Sequence, residues 1–182
     1  MLTDHLNQKI RSVKLLVLDV DGVLSDGKII LSNDGNETKS FDVKDGLGMV
    51  LLQKLGIKIA VITGKSSQIV HNRLTALGVQ DVYQGQKNKV TAFSDLLEKY
   101  HLSTAEAAYM GDDLPDLSII DKVCVSFAPH DAVHIVKEKV DYICTHRGGH
   151  GAVREICDLF LQAHDKYDKV IADYIVHGEA KF

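Results

Sequence analysis

Short, unbroken apolar runs alternate along this chain with longer stretches whose apolar residues recur every three or four positions. The first kind reads as buried strand and the second as helix packed on one side. Strands are predicted at residues 14–18, 57–62, 81–83, 107–110, 123–127 and 142–143. Helices are predicted at 46–55, 66–77, 88–100, 132–137 and 151–163, with a short one at 115–121. Gly78 stops the second helix as a C-terminal cap. One segment departs from the alternation. Residues 28–41 place Asn33-Asp34-Gly35-Asn36 between β-forming flanks, a hairpin signal. The first residues, MLTDHLNQKIRS, are polar and mixed in charge, and the tail at 165–182 is amphipathic but ragged. Strands followed by helices imply right-handed crossovers. The expected fold is α/β, a Rossmann-like, mainly parallel sheet with helices on both faces, in one domain over residues 1–182.

Ligands of such sheets bind beyond the carboxyl ends of the strands, and that is where this sequence concentrates polar residues. The first strand runs into Asp19-Val20-Asp21-Gly22-Val23-Leu24-Ser25-Asp26-Gly27. In extended backbone, positions i and i+2 point the same way. Two carboxylates so placed repel unless a cation lies between them or one holds a proton. Asp-Gly also ends strands in ordinary turns. The chemical reading is that Asp19, beside a divalent cation, attacks phosphorus, while Asp21 protonates the leaving alkoxide and then activates water. Gly111-Asp112-Asp113-Leu114-Pro115-Asp116 ends another strand; Asp112 could complete a hard-cation site, or an aspartate there could cap the next helix. Thr63-Gly64-Lys65-Ser66 offers a hydroxyl and backbone amides near a helix start, suited to phosphate oxygens or to plain capping. Lys89 could neutralise a transferring phosphoryl group. By position alone, Lys87 competes with it.

The chain has 182 residues and a formal charge of −4, so it provides no basic footprint for nucleic acid or an anionic membrane. No apolar run approaches the roughly 20 residues that span a bilayer, and the polar start is not that of a secretory signal. Three scattered cysteines without C-x-x-C spacing read as buried thiols of a reducing cytoplasm. The nine histidines have no zinc-ligand spacing and read as surface residues.

Taken together and in order, Asp19-x-Asp21, Thr63, Lys89 and Gly111-Asp112-x-x-x-Asp116 resemble the motif set of the haloacid dehalogenase superfamily of phosphotransferases. The run 19–27, Tyr83-Gln84-Gly85-Gln86 and Gly148-Gly149-His150-Gly151-Ala152-Val153-Arg154-Glu155 narrow the resemblance to the 3-deoxy-D-manno-octulosonate 8-phosphate phosphatases. The resemblance implies a capless core, a flap hairpin over about 28–41, and a homotetramer whose neighbours help to close each site. It implies Mg²⁺ on Asp19, the Asp21 backbone carbonyl and Asp112, with Asp113 or Asp116 behind them. Asp19 would be the nucleophile and Asp21 the acid/base, with Thr63 and Lys89 on the phosphoryl oxygens. The family's spacing favours Lys89 over Lys87. Gly64, Lys65 and Arg73 would face a small sugar-acid phosphate, a precursor of lipopolysaccharide. Two positions depart from the family: Lys65 stands where arginine is frequent, losing a bidentate fork, and His150 where arginine or lysine is frequent. Lys65 and Arg73 lie about 12 Å apart on one helix, too far to grip one carboxylate within a subunit. A nine-carbon keto-acid 9-phosphate is the alternative substrate, and a non-catalytic tetramerising module the alternative role.

Overall fold

The computed structural model describes residues 4–182. Helix α1 (Asp4–Ser12) leads into β1 (Leu15–Leu18), four aliphatic residues without accessible surface. A small hairpin, β2 (Ile30–Leu31) with β3 (Glu37–Thr38), stands out beyond it, followed by α2 (Val43–Leu55). Then come β4 (Lys58–Ile62), α3 (Gln68–Ala76), β5 (Asp81–Tyr83), α4 (Lys89–Tyr100) and β6 (Ala107–Met110). The chain ends with α5 (Leu117–Ile120), β7 (Val125–Ala128), α6 (His134–Lys137), β8 (Tyr142–Ile143), α7 (Ala152–Ala163) and α8 (Tyr167–His177).

Six strands form a wholly parallel sheet in the order β5-β4-β1-β6-β7-β8. The α/β expectation holds. Alternation along β1 divides the core. Leu16 and Leu18 join Ile10 of α1, Met49 and Leu52 of α2, Leu74 of α3 and Phe160 of α7 on one face. Leu15 and Val17 join Phe93 and Leu96 of α4, Ile119 of α5 and Val136 of α6 on the other. The chain first grows from β1 towards β5, then returns to the far side of β1 and grows towards β8. This reversal opens a crevice at the carboxyl end of the central strands, where open α/β sheets bind ligands.

The hairpin lies where the sequence placed it. Ser32 and Asn36 close its turn, Ser32 N donating to Asn36 O at 3.0 Å, and Gly35 takes the positive φ of 83° that the turn requires. Several boundaries moved. Helix α2 begins three residues earlier than predicted, because Asp42 caps it through the Lys44 amide at 2.7 Å. Helix α3 begins two residues later, so Ser66 lies outside it. The predicted helix at 115–121 is a 3₁₀ turn (Leu114–Asp116) running into α5. Helices α1 and α8 occupy segments for which no element was assigned. Cys144 and Cys157 are buried free thiols as expected, but Cys124 is only half-buried.

Candidate active site

Strand β1 stops at Leu18 because the chain folds onto itself: the amides of Val23, Leu24 and Ser25 all donate to the Val20 carbonyl, at 3.2, 2.9 and 3.0 Å. The pairing pattern of Asp19 and Asp21 therefore differs from that of an extended strand. Each carboxylate has its own lysine. Asp19 Oδ1 lies 3.0 Å from Lys89 Nζ, and Asp21 Oδ1 is in ion-pair contact with Lys39 Nζ.

Lys89 opens α4 after the Asn88 cap, and its side chain is buried between Asp19 and Asp116, 2.7 Å from the latter's Oδ1. Lys87 is exposed. Of the two lysines, Lys89 is the one placed against Asp19 and Asp116, while Lys87 stands at the side of the same cavity.

Asp116, fully buried, uses both oxygens completely. Oδ1 accepts from Lys89 Nζ and from the Tyr109 hydroxyl at 2.6 Å; Oδ2 accepts from the amides of Asp112 at 2.9 Å and Asp113 at 3.1 Å. Asp113 caps the 3₁₀ turn through the Leu114 amide at 2.8 Å. Capping therefore falls to Asp113, which leaves Asp112 free.

Asp19, Asp112 and Asp116 bring carboxylate oxygens within 4.8 Å of one another. Asp112 Oδ1 is buried without a hydrogen-bond partner, and Asp19 Oδ1 has only the Lys89 ion pair, which lacks hydrogen-bond alignment. Burial, then Asp116, pushes the Asp19 carboxyl up to about 6 against the pull of Lys89. Burial, then Asp116, Asp19 and Asp113, pushes Asp112 up to about 8. Burial alone would lower the Lys89 ammonium, but Asp19 and Asp116 outweigh it and hold the group above its usual value. Crowded carboxylates with unpartnered buried oxygens are a donor set for a hard divalent cation.

Thr63 follows β4 and is buried; its amide donates to Tyr83 O at 2.9 Å and its carbonyl accepts from Gln86 N at 3.0 Å. Gln84 Oε1 accepts from the Ser67 amide at 2.6 Å, so the loop 84–86 braces the loop 63–67. A cavity of about 500 Å³ brings Asp19, Asp21, Thr63, Gly64, Lys65, Lys89 and Asp112 together, with Lys87 and Gln86 at its side. Arg73 is not among its lining residues. It projects from α3 towards α2, where a methyl group on Gly46 would lie 2.4 Å from its Nη2, and lines a separate small cavity with Asp45 and Phe41. His150 is exposed.

Sequence reasoning missed Lys39 and Tyr109. A tyrosine inside the buried run Ala107-Ala108-Tyr109-Met110 needs a partner for its hydroxyl, and that was the available signal.

A family model described as haloacid dehalogenase-like hydrolase matches residues 76–156. The 3-deoxy-D-manno-octulosonate 8-phosphate phosphatase of Salmonella typhi is 45% identical over 168 residues, covering 92% of this chain and 89% of that protein. The chain belongs to this phosphatase family. Solved structures agree with that assignment. The Moraxella catarrhalis 3-deoxy-D-manno-octulosonate 8-phosphate phosphatase, in complex with a magnesium ion, a phosphate ion and a KDO molecule, superposes with a TM-score of 0.90 at 43% identity, covering 92% of this chain and 97% of that one. The cobalt-bound Haemophilus influenzae enzyme gives 0.85 at 39% identity over 88% and 94%.

Proposed function

We propose that the chain hydrolyses 3-deoxy-D-manno-octulosonate 8-phosphate to the free sugar acid and inorganic phosphate, as one phosphatase domain acting in the cytoplasm on a lipopolysaccharide precursor. The observation that carries this reading is the cluster of Asp19, Lys89, Asp112 and Asp116 at the carboxyl edge of the sheet, with one buried carboxylate oxygen left unpartnered. Asp19 attacks phosphorus, and the bond to the sugar oxygen breaks as an aspartyl-phosphate forms. Asp21 gives its proton to the departing alkoxide, then takes one from the water that cleaves the acyl phosphate. Lys89 and the Thr63 hydroxyl hold the phosphoryl oxygens and offset their developing charge. Asp19, Asp112 and the Asp21 carbonyl would hold Mg²⁺, which supplies charge neutralisation at the phosphoryl group and keeps the crowded carboxylates ionised.

The substrate is a dianionic phosphate joined to a carboxylate. Lys65 and Lys87 stand exposed at the cavity, neither ion-paired with any of the described residues, and supply cationic charge for the carboxylate end. Three free cysteines accord with a reducing compartment. Ile29, Ile30 and Leu31 of the hairpin, with Val43 beyond it, are exposed aliphatics that support assembly of the chain into a homotetramer. Sedimentation equilibrium returning a monomer would remove that part of the reading.

The test is phosphate release from 3-deoxy-D-manno-octulosonate 8-phosphate and from the nine-carbon keto-acid 9-phosphate, with Mg²⁺ and with EDTA. The expected result is a higher kcat/KM for the eight-carbon substrate and no turnover in EDTA. A preference for the nine-carbon substrate would transfer the assignment to it. No release from either would return the chain to the non-catalytic role.

A further inference from the structure

The first strand and the turn of the hairpin are exposed and Glu37 of the second strand is half-buried, yet the side chain of Lys39 just beyond it is buried. The Lys39 side chain is 1% exposed, its Nζ set against Asp21 Oδ1 and 3.3 Å from Glu37 Oε1. A lysine at the base of a surface hairpin can reach water at little cost, and lysine is rarely buried unless paired. Here the ammonium turns inward to a carboxylate of the site.

Its second partner, Glu37, belongs to β3 and pairs across the hairpin with Leu31. The same Asp21 oxygen also accepts from Ser25 Oγ at 3.4 Å, and Ser25 is buried in the turn after β1. Asp21 is thus gripped from below by its own loop and from above by the flap.

We propose that Lys39 is a positioning residue that fixes the orientation of Asp21 and links it to the seating of the flap. This rests on the phosphatase reading, in which Asp21, its Oδ1 held by Lys39 and Ser25, carries a proton on Oδ2 and delivers it to the leaving oxygen as the bond to phosphorus breaks and the bond from Asp19 forms. A proton donor works only within hydrogen-bond reach of that oxygen. With Lys39 removed, Asp21 keeps one long hydrogen bond and swings freely. Glu37 matters at one remove, because it holds Lys39 in place.

The leaving group separates positioning from general damage. Departure of a sugar alkoxide needs the proton; departure of p-nitrophenolate does not. The measurement is kcat/KM for the sugar phosphate and for p-nitrophenyl phosphate, which reports steps up to phosphoryl transfer to Asp19. Lys39→Met is expected to lose on the order of 100-fold with the sugar phosphate, the low end of the general-acid range, and less than about threefold with the aryl phosphate. Lys39→Arg is expected to recover most of the loss, and Glu37→Gln to show a smaller loss of the same selectivity. Amide hydrogen exchange over residues 28–41 is expected to quicken in Glu37→Gln and in Lys39→Met.

Equal losses on both substrates, or none on either, would overturn the proposal. If Lys39→Met does not fold, the selectivity of Glu37→Gln decides alone. Wild-type protein that hydrolyses neither substrate would overturn the phosphatase reading itself, and this proposal with it.

Discussion

Asp19 and Asp112 are held in the fold in a form that resists ionisation. Their carboxyls titrate at about 6 and about 8 because burial and neighbouring carboxylates disfavour charge. An unfolded aspartate titrates near 3.8. Between the two values the folded, metal-free protein binds more protons than the unfolded chain, so its stability falls as pH rises and levels off above about 8. The groups that oppose this trend act lower: Glu155, held down to about 2 by bonds from Thr145, His146 and Tyr142 despite its burial, is fully ionised in either state above pH 5.5 or so, and His164, which burial holds below its usual value, opposes it only up to the ordinary histidine range near 6.5. Thermal melts in EDTA are expected to show a melting temperature that declines between about pH 6.5 and 8, and the decline is expected to vanish in Asp112→Asn. An unchanged slope in that variant would contradict the assignment. Added Mg²⁺ is expected to restore stability, most strongly at the alkaline end, because binding displaces protons. At this scale the sequence was readable wherever a polar residue ended an apolar run, as Asp19, Thr63 and Asp112 do. It was unreadable at Lys39, since a lysine in a polar hairpin looks like any solvated lysine. The division of work between Asp113 and Asp116 also depended on which of them the 3₁₀ turn buries.

The glycine-rich segment after β8 shows how one element supports another. A methyl group on Gly148 would lie 1.7 Å from the Gly22 carbonyl oxygen, and one on Gly149 would lie 2.5 Å from the Ser25 carbonyl carbon. The Gly149 amide donates to Val23 O at 2.9 Å. The segment is therefore a seat for the loop that carries Asp21, rather than a lining of the cavity. Gly148→Ala is expected to destabilise the protein by roughly 1–3 kcal/mol, the usual cost of overpacking, and to lower kcat through displacement of the Asp21 loop. A melting temperature and kcat equal to wild type would contradict this close approach. Element by element, the sequence revealed every strand of the sheet, because each is a short apolar run closed by turn residues. It concealed α1, whose buried face is only Leu6 and Ile10. The tail that carries α8 read as amphipathic but ragged, and the structure shows why: Tyr167, Val170 and Tyr174 pack inward while Ile171, Ile175 and Val176 are exposed and blur the polar face. The early start of α2 was hidden by Gly46 and Gly48, which are small because Arg73 and Cys157 press against them.

Across the whole molecule, the site exists because the chain reverses direction at β1. Asp19 follows β1, Thr63 follows β4, Lys89 follows β5 and Asp112 follows β6, so four separate strand ends deliver one group each to a common cavity. No helix among the described residues is long and apolar enough to cross a membrane. The fold positions these groups, and Lys65 and Lys87 stand exposed at the rim of the same cavity. As the nucleophile, Asp19 becomes phosphorylated during turnover. This step is tested most directly by acid-quenching a single turnover of substrate labelled with ³²P and mapping the label by peptide. Transient label is expected on the peptide containing Asp19, rising before free phosphate appears, and none in Asp19→Asn. Turnover by the wild type without covalent label on that peptide at any quench time, or label retained in Asp19→Asn, would contradict it.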